Sequence, residues 1–333
     1  MFPLAVDLFR ATPLRPLAEA ADLSLWDLGA RGGVDVSLQP LAWCTKAIAF
    51  EPDPAAAGQL RAQGPAPWAD VRVIEAAVAG RDGSRQLNVT EDPAGSTLLT
   101  PRPEIAARYG IAPLCRTAKQ IDVETVSPPT ACARYAVLPP AFLKLDIEGA
   151  ELELLQGAGE MLDPVAVLKT EAAFVTVRDE QPNAWDIVEW LRPRGFVLMD
   201  IIEPAYWRRG NVACAPYAAQ RGGWSRGRLA QADLIFLRDR DTLADDGEPT
   251  SVPMRCALSA AALGYLDHAR DILERPNAGA AFKGLTGADP EPVLAEIAKR
   301  AGRRDVSRTI RTRLRDLIPL LRSQFGGVPQ PRS

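Results

Sequence analysis

Between residues 21 and 240, short apolar runs alternate with stretches of helical spacing, and this alternation restricts the fold more than any other feature of the chain. The runs are "LSLWDLG", "AIAFEPD", "VRVIEAAVAG", "FLKLDIEG", "VAVLKTEAAF", "FVLMDI" and "DLIFLRD". Between several of them lie "PAAAGQLRAQG", "AELELLQGAGEML" and "AWDIVEWLRPRG", which have the spacing of helices. The runs are apolar on both faces, as strands covered by helices on either side must be. Strands and helices in turn make a mainly parallel sheet, so the expected fold class is α/β, doubly wound and Rossmann-like.

One segment breaks the rhythm. Residues 84–135 insert extra material between the third and fourth core strands. Within it "RQLNVT" and "IDVETV" alternate with period two and predict extra strands, and the Pro/Gly-rich piece between them is a candidate lid or acceptor-binding loop. The expected organisation is a lead-in over 1–20, the α/β domain over 21–240, an acidic, Pro-containing linker over 241–253, a helical C-terminal extension over 254–325 and a disordered tail over 326–333. In the extension, Ile310, Leu314, Leu317 and Leu321 share one helix face amid Lys299, Arg300, Arg303, Arg304, Arg308, Arg311, Arg313, Arg315 and Arg322. That is a basic amphipathic helix, expected to pack on its own domain or to make a peripheral contact with an anionic surface.

The net charge of -3 offers no overall reason to expect a nucleic acid partner. No run approaches the ~20 apolar residues of a membrane-spanning helix, and the first residues lack the basic start of a signal peptide. Cys44, Cys115, Cys132, Cys214 and Cys256 are odd in number and scattered, which fits a reducing, cytoplasmic setting.

The first strand ends in "WDLGARGG", a turn built for close approach of the backbone to something bound. A nicotinamide-type fingerprint wants G-x-G-x-x-G around a pyrophosphate, but here Arg31 stands two positions after Gly29. Asp27 inside the motif would repel a pyrophosphate and attract an ammonium. S-adenosylmethionine carries an ammonium and no phosphate, and its ribose hydroxyls need an acceptor such as Glu51 at the end of the next strand. Glu51 alone suits either cofactor. Asp27 and Glu51 together, with Gly29 and Gly33 bracketing the turn, favour the methyl donor.

Asp146 ends the "FLKLD" strand, Glu148 follows at the next helix start and Glu171 ends "VAVLKTE". In a doubly wound sheet all three converge at the cofactor edge, as candidates for the base that takes the acceptor's proton. Glu148 and Glu151 are equally expected as acids stabilising a helix start. Lys144 is expected to orient the acceptor or to snorkel along the rim. The carboxylates suit a hard divalent ion, but no ligand spacing compels one and no metal is assigned.

"DLGARGG", "FEPDP", "AGSTLL" and above all "FLKLDIEGAELELLQGA" resemble, in that order, the FkbM family of S-adenosylmethionine-dependent methyltransferases over roughly 21–240. The resemblance implies a class I methyltransferase sheet and O-methylation of a glycan or another small hydroxylated metabolite. It implies that Asp27, Gly29 and Gly33 border the methionine part of the cofactor, Glu51 the ribose, and Ala77 with its neighbours the adenine. Many relatives carry Asn where Arg31 stands, so this cation is expected near the cofactor carboxylate or at the surface. A nicotinamide-dependent oxidoreductase on the same sheet and a non-catalytic binding or assembly module are the alternatives.

Overall fold

The computed structural model describes residues 7–209 and 227–303. Helices α1 (Asp7–Arg10) and α2 (Arg15–Ala20) precede β1 (Ser24–Leu28), and β2 (Lys46–Phe50), α3 (Pro54–Gln63) and β3 (Asp70–Ile74) follow. Next come β4 (Ala77–Val78), β5 (Gly83–Thr90), α4 (Pro103–Ala107), β6 (Thr117–Val126) and α5 (Pro128–Tyr135). The second half runs β7 (Phe142–Leu145), α6 (Glu151–Ala158), β8 (Val167–Ala173), α7 (Ala184–Leu191), β9 (Phe196–Trp207) and β10 (Arg228–Arg238). It is followed by α8 (Val252–Leu263), α9 (Leu266–Leu273) and α10 (Pro276–Thr286), and the chain is again helical over 290–303.

Seven strands form one sheet in the order β3-β2-β1-β7-β8-β10-β9. The pairs from β3 through β8 are parallel, and β10 runs antiparallel to both β8 and β9. The expected α/β architecture is present, with β10 as the reversed strand. The chain order turns back between β1 and β7, and an open α/β sheet has its ligand crevice at the carboxyl ends of the strands beside such a switch point. The inserted segment supplies most of the second sheet, β4-β6-β5, and the residues just before it supply β4.

Period-two alternation sorts the strand residues onto two faces. Trp26, Phe50, Leu143, Leu145, Leu168, Leu234 and Phe236 meet Ala131 of α5, Leu154 and Leu155 of α6, and Ile187 and Leu191 of α7 in one core. Leu25, Phe142, Val167, Ile235 and Leu237 point the other way, into a second core. The helices beside the crevice start where their sequences dictate: Asp53 accepts from the Ala55 amide at 2.9 Å to cap α3, and Ser127 accepts from the Thr130 amide to cap α5.

The two ends of the chain differ from their expected roles. Leu8, Phe9, Leu14 and Leu17 of the expected lead-in and Met254, Leu258, Leu263, Ile272 and Phe282 of the expected extension are all buried in that second core. They cover a face of the sheet that would otherwise be wet, so the extension is a layer of the same core and not a separable appendage. Arg255 ties the two ends together, its Nε donating to the Ala21 carbonyl at 2.8 Å. Of the expected basic helix, residues from 304 onward lie outside the described residues, as does Cys214. Among the described residues no helix is long and apolar enough to cross a membrane.

Candidate functional site

Residues that stand in register on adjacent parallel strands project to the same face. Asp27 of β1 is in register with Lys144 of β7, and Lys144 with Lys169 of β8. Lys144 Nζ meets Asp27 Oδ1 at 2.9 Å and Asp146 Oδ2 at 3.5 Å, and donates to the Gly29 carbonyl at 3.2 Å. The other Asp27 oxygen accepts from the Asp35 amide at 2.7 Å. Asp35 in turn binds Lys169 at 2.8 Å, and Lys169 reaches Asp233 of β10 at 3.0 Å. A row of alternating charges thus runs beneath the crevice. Burial works against the charge on Lys144, but Asp27 and then Asp146 outweigh it and raise its pKa. Burial raises that of Asp27, with Lys144 opposing. With no exposed surface and both oxygens engaged, Asp27 lies under the crevice floor, where it braces the glycine turn. Lys144 is buried in this row and does not snorkel along the rim.

Above the row, the carboxyl ends of β3, β2, β1 and β7 stand side by side, a span of three strand spacings or about 14 Å. They bring Glu51, Gly29 and Asp146 to the same edge in that order, and Ala77, three residues beyond β3, begins β4 of the second sheet. Gly29 adopts φ +83°, and a Cβ there would fall 1.9 Å from the Asp146 carbonyl oxygen, so the β1 turn leans directly on the β7 turn. At Gly33 (φ +154°) the nearest atom to such a Cβ is 3.8 Å away, on the Gln63 side chain, which leaves open space over the turn. Glu51 is 4% exposed and its Oε1 accepts from the Asp53 amide at 2.9 Å. Burial raises its pKa, with that amide opposing. Among the described residues its second oxygen has no hydrogen bond partner and can accept from a diol. Arg31 turns away to Asp53, 3.4 Å distant at the surface. A nearly buried acceptor beside an open glycine turn suits a nucleoside cofactor without phosphates, and this donor set fits S-adenosylmethionine.

Asp146, Glu148 and Glu171 each present a carboxylate oxygen, all within 4.8 Å of one another. Glu148 (φ +58°) and Gly149 (φ +105°) bend the chain sharply after β7. Glu151 holds that bend from inside, accepting from the amides of Ile147 and Gly149 at 3.0 Å each, so its role is to cap the turn. Glu148 pairs with the buried Arg178, and Gln231 donates to Glu171 at 2.9 Å. Burial raises Glu148 to about 7, with Arg178 opposing and Asp146 and Glu151 adding to the rise. Burial and then the charge of Glu148 lift Glu171 well above the usual carboxylate range. The cluster therefore retains protons near neutral pH, where a group of this kind can both take and give one. Three oxygens at this spacing could also hold a divalent ion, in competition with those protons.

The inserted segment is fastened over this cluster. Thr97 Oγ1 donates to the Glu148 carbonyl at 2.7 Å, Arg178 Nη2 donates to the Gly95 carbonyl at 3.3 Å, and the Arg102 amide donates to the Val177 carbonyl at 2.7 Å. The piece expected as a lid or acceptor-binding loop is joined by these bonds to the turn after β7 and to the segment after β8. Arg178, Asp35, Lys169 and Asp233 were not foreseen from the sequence. The available signal was the pair of lysines inside "FLKLD" and "VAVLKTE", each in an otherwise apolar strand and so in need of a buried acid.

Residues 27–198, just over half of the chain, match the family model described as Methyltransferase FkbM domain. Solved structures with similarity include an rRNA methylase from Streptococcus thermophilus, at 13% identity and TM-score 0.31, covering 68% of this chain and 93% of that one. A precorrin-6y C5,15-methyltransferase from Geobacter metallireducens has 16% identity and TM-score 0.33, covering 69% and 87%. A magnesium protoporphyrin IX methyltransferase from Synechocystis with bound SAM has 10% identity and TM-score 0.33, covering 70% and 78%. Comparison with curated proteins finds no match.

Proposed function

The chain belongs to the Methyltransferase FkbM domain family, and from that premise we propose that it methylates a hydroxyl of a glycan or another small hydroxylated metabolite. The observation that carries the proposal is the carboxylate cluster of Asp146, Glu148 and Glu171, whose Asp146 is one strand from the glycine turn and two from Glu51. S-adenosylmethionine supplies a methyl group already activated by its sulfonium. Glu51 accepts from the ribose hydroxyls, the turn from Gly29 to Gly33 lets the backbone approach the methionine part, and Ala77 flanks the adenine. Asp27 acts from below, fixing the turn through Lys144.

The acceptor hydroxyl lies against Asp146 and Glu171. With the donor bound, a carboxylate of the cluster would take the acceptor's proton as the hydroxyl oxygen receives the methyl group that the donor would supply. Glu148, held by Arg178, sets the protonation of its neighbours. Positioning lowers much of the barrier, and a base of this kind contributes about 10² to 10⁴-fold.

Titration calorimetry with S-adenosylmethionine, followed by mass spectrometry of candidate acceptors, tests this reading. Expected are donor binding that Glu51→Ala weakens by about 1.5 to 3 kcal/mol, and acceptors heavier by one methyl. Asp146→Asn should keep donor affinity and lose about 10² or more in turnover. Acceptors lighter by two hydrogens, or a protein that ignores the donor and binds NAD, would overturn it.

A further inference from the structure

Shortly after Glu171 of the cluster, the chain lines a cavity of about 520 Å³, within the size range of small-molecule sites. Its floor is the segment Phe174–Thr176, pinned to β10 by the Phe174 and Val175 amides, which donate to the Ala230 carbonyl at 2.7 and 3.0 Å. Both ends of that floor lead back to the cluster. Glu171 is three residues before Phe174 along the chain, about 10 Å in strand geometry, and Arg178 is two residues beyond Thr176, where it holds Glu148.

The walls have a distinct chemistry. Trp185 stands edge-on to Phe174, with ring centroids 6.0 Å apart, yet 58% of it is exposed. Its backbone is locked, because Asn183 and Asp186 form a reciprocal capping box at the start of α7. Tyr109, set against Trp207 at 5.5 Å, adds another ring from the inserted segment. Two guanidinium groups complete the lining, Arg108 and Arg228. Other arginines of this layer are committed: Arg102 to Asp179 and Glu104, Arg116 to Glu91, Arg178 to Glu148. Among the described residues Arg108 and Arg228 have no ion pair and their side chains make no hydrogen bond. Two uncommitted forks facing a concave space lined by rings are arranged for an anion on a ring-shaped ligand.

We infer that this cavity is the acceptor subsite and that the acceptor is an anionic sugar, its phosphate or carboxylate held by Arg108 and Arg228 and its ring set against Trp185 and Tyr109. The inference rests on the methyltransferase reading for the reacting hydroxyl, which then extends from the ring toward Asp146 and Glu171. The cluster end of the site offers carboxyl groups and the arginine end guanidinium groups, so a ligand with one anionic group enters with that group toward the arginines.

Calorimetry on the full chain tests the inference with glucose 1-phosphate, glucuronate and neutral methyl glucoside, each titrated with and without the demethylated donor product. Both anionic probes should bind at least about 10-fold more tightly than the neutral one, the scale of one charge-assisted hydrogen bond. Arg108→Ala and Arg228→Ala should each weaken the anionic probes about 10-fold and leave both the neutral probe and the donor product unchanged. Trp185→Ala should weaken all three sugars. Equal binding of charged and neutral probes, or arginine variants that bind like the parent, would overturn it. A protein that binds the donor product and none of the sugars would overturn the subsite while leaving the methyltransferase reading standing. Failure to bind the donor product would count against that reading, and the titrations without it still judge the cavity.

Discussion

Replacing Lys144 with methionine removes the cation that holds the β1 turn to the β7 turn, and the structure sets the scale of the damage. Asp27 is wholly buried, and Lys144 is its only ion-pair partner among the described residues. Breaking a buried pair from one side costs about 3 to 5 kcal/mol, because the remaining charge stays desolvated without compensation. That is a large part of the roughly 5 to 15 kcal/mol by which domains are stable, and corresponds to a fall in Tm of roughly 5 to 10 °C. The loss has a sign in pH. Burial already raises the pKa of Asp27, and Lys144 is the foremost influence opposing that rise, so the variant raises it further. A carboxylate whose folded pKa is raised favours the folded state most below its unfolded pKa of 3.8, and that advantage disappears as pH climbs through the folded value. The deficit of Lys144→Met against the parent should therefore be small near pH 4 and full at pH 8. Asp27→Asn combined with Lys144→Met should recover part of it, as no charge is then stranded. Urea titrations of the parent, the single variant and the double variant at both pH values provide the measurement. A deficit below about 1 kcal/mol, one that does not change with pH, or a double variant no more stable than the single one would refute the reasoning.

Four further outcomes are expected. The pH-rate profile should rise as the cluster gives up its protons, and Glu148→Gln should move that rise to lower pH, because the charge it removes is the foremost electrostatic influence raising Glu171. The folded pKa of Glu148 is raised, so its contribution to stability is present below 4.5 and lost as pH rises through about 7; thermal melts of Glu148→Gln should be flatter across that window. Gly29→Ala should abolish donor binding or folding, since the added Cβ would meet the Asp146 carbonyl oxygen at 1.9 Å in a φ +83° conformation, with circular dichroism and calorimetry telling the two apart. A chain ended after Asp241 should be insoluble or molten, because it uncovers Leu25, Phe142, Val167, Ile235 and Leu237. At about 1.5 to 3 kcal/mol each, their exposure rivals the stability of the whole fold; dye binding and near-ultraviolet dichroism report it.

Much of the edge that forms the site could be read from the sequence, because each of its residues terminates an apolar run. Glu51 follows "AIAF", Asp146 follows "FLKL" and Glu171 comes near the end of "VAVLKT", so a parallel sheet necessarily gathers them. The ion row beneath was hidden because it depends on register between strands more than a hundred residues apart: Asp27 faces Lys144, an alignment no local pattern encodes. This is also why the attraction of Asp27 for an ammonium was foreseen and its engagement with Lys144 was not. The burial of α8 was legible and overlooked. "PMRCALSAAALG" is small or apolar at every position but Arg255, the mark of a helix enclosed on nearly all sides, and the acidic stretch before it was read instead as a boundary. The arginine cavity lay beyond reach, since Arg108 at the end of α4 and Arg228 at the start of β10 are brought together only by the tertiary structure.

The placement of β10 between β8 and β9 has a consequence for how the protein is made. β9 leaves the ribosome first, yet its only neighbour in the sheet is β10, so it has nothing to pair with on emergence. Until Arg228–Arg238 has been synthesised, β8 presents an open, apolar edge and β9 is an orphan ribbon. At a synthesis rate of about 5 to 20 residues per second, that interval lasts a few seconds. It is the period in which a nascent chain has most need of a chaperone, because the unpaired edge of β8 is a template for any extended strand nearby.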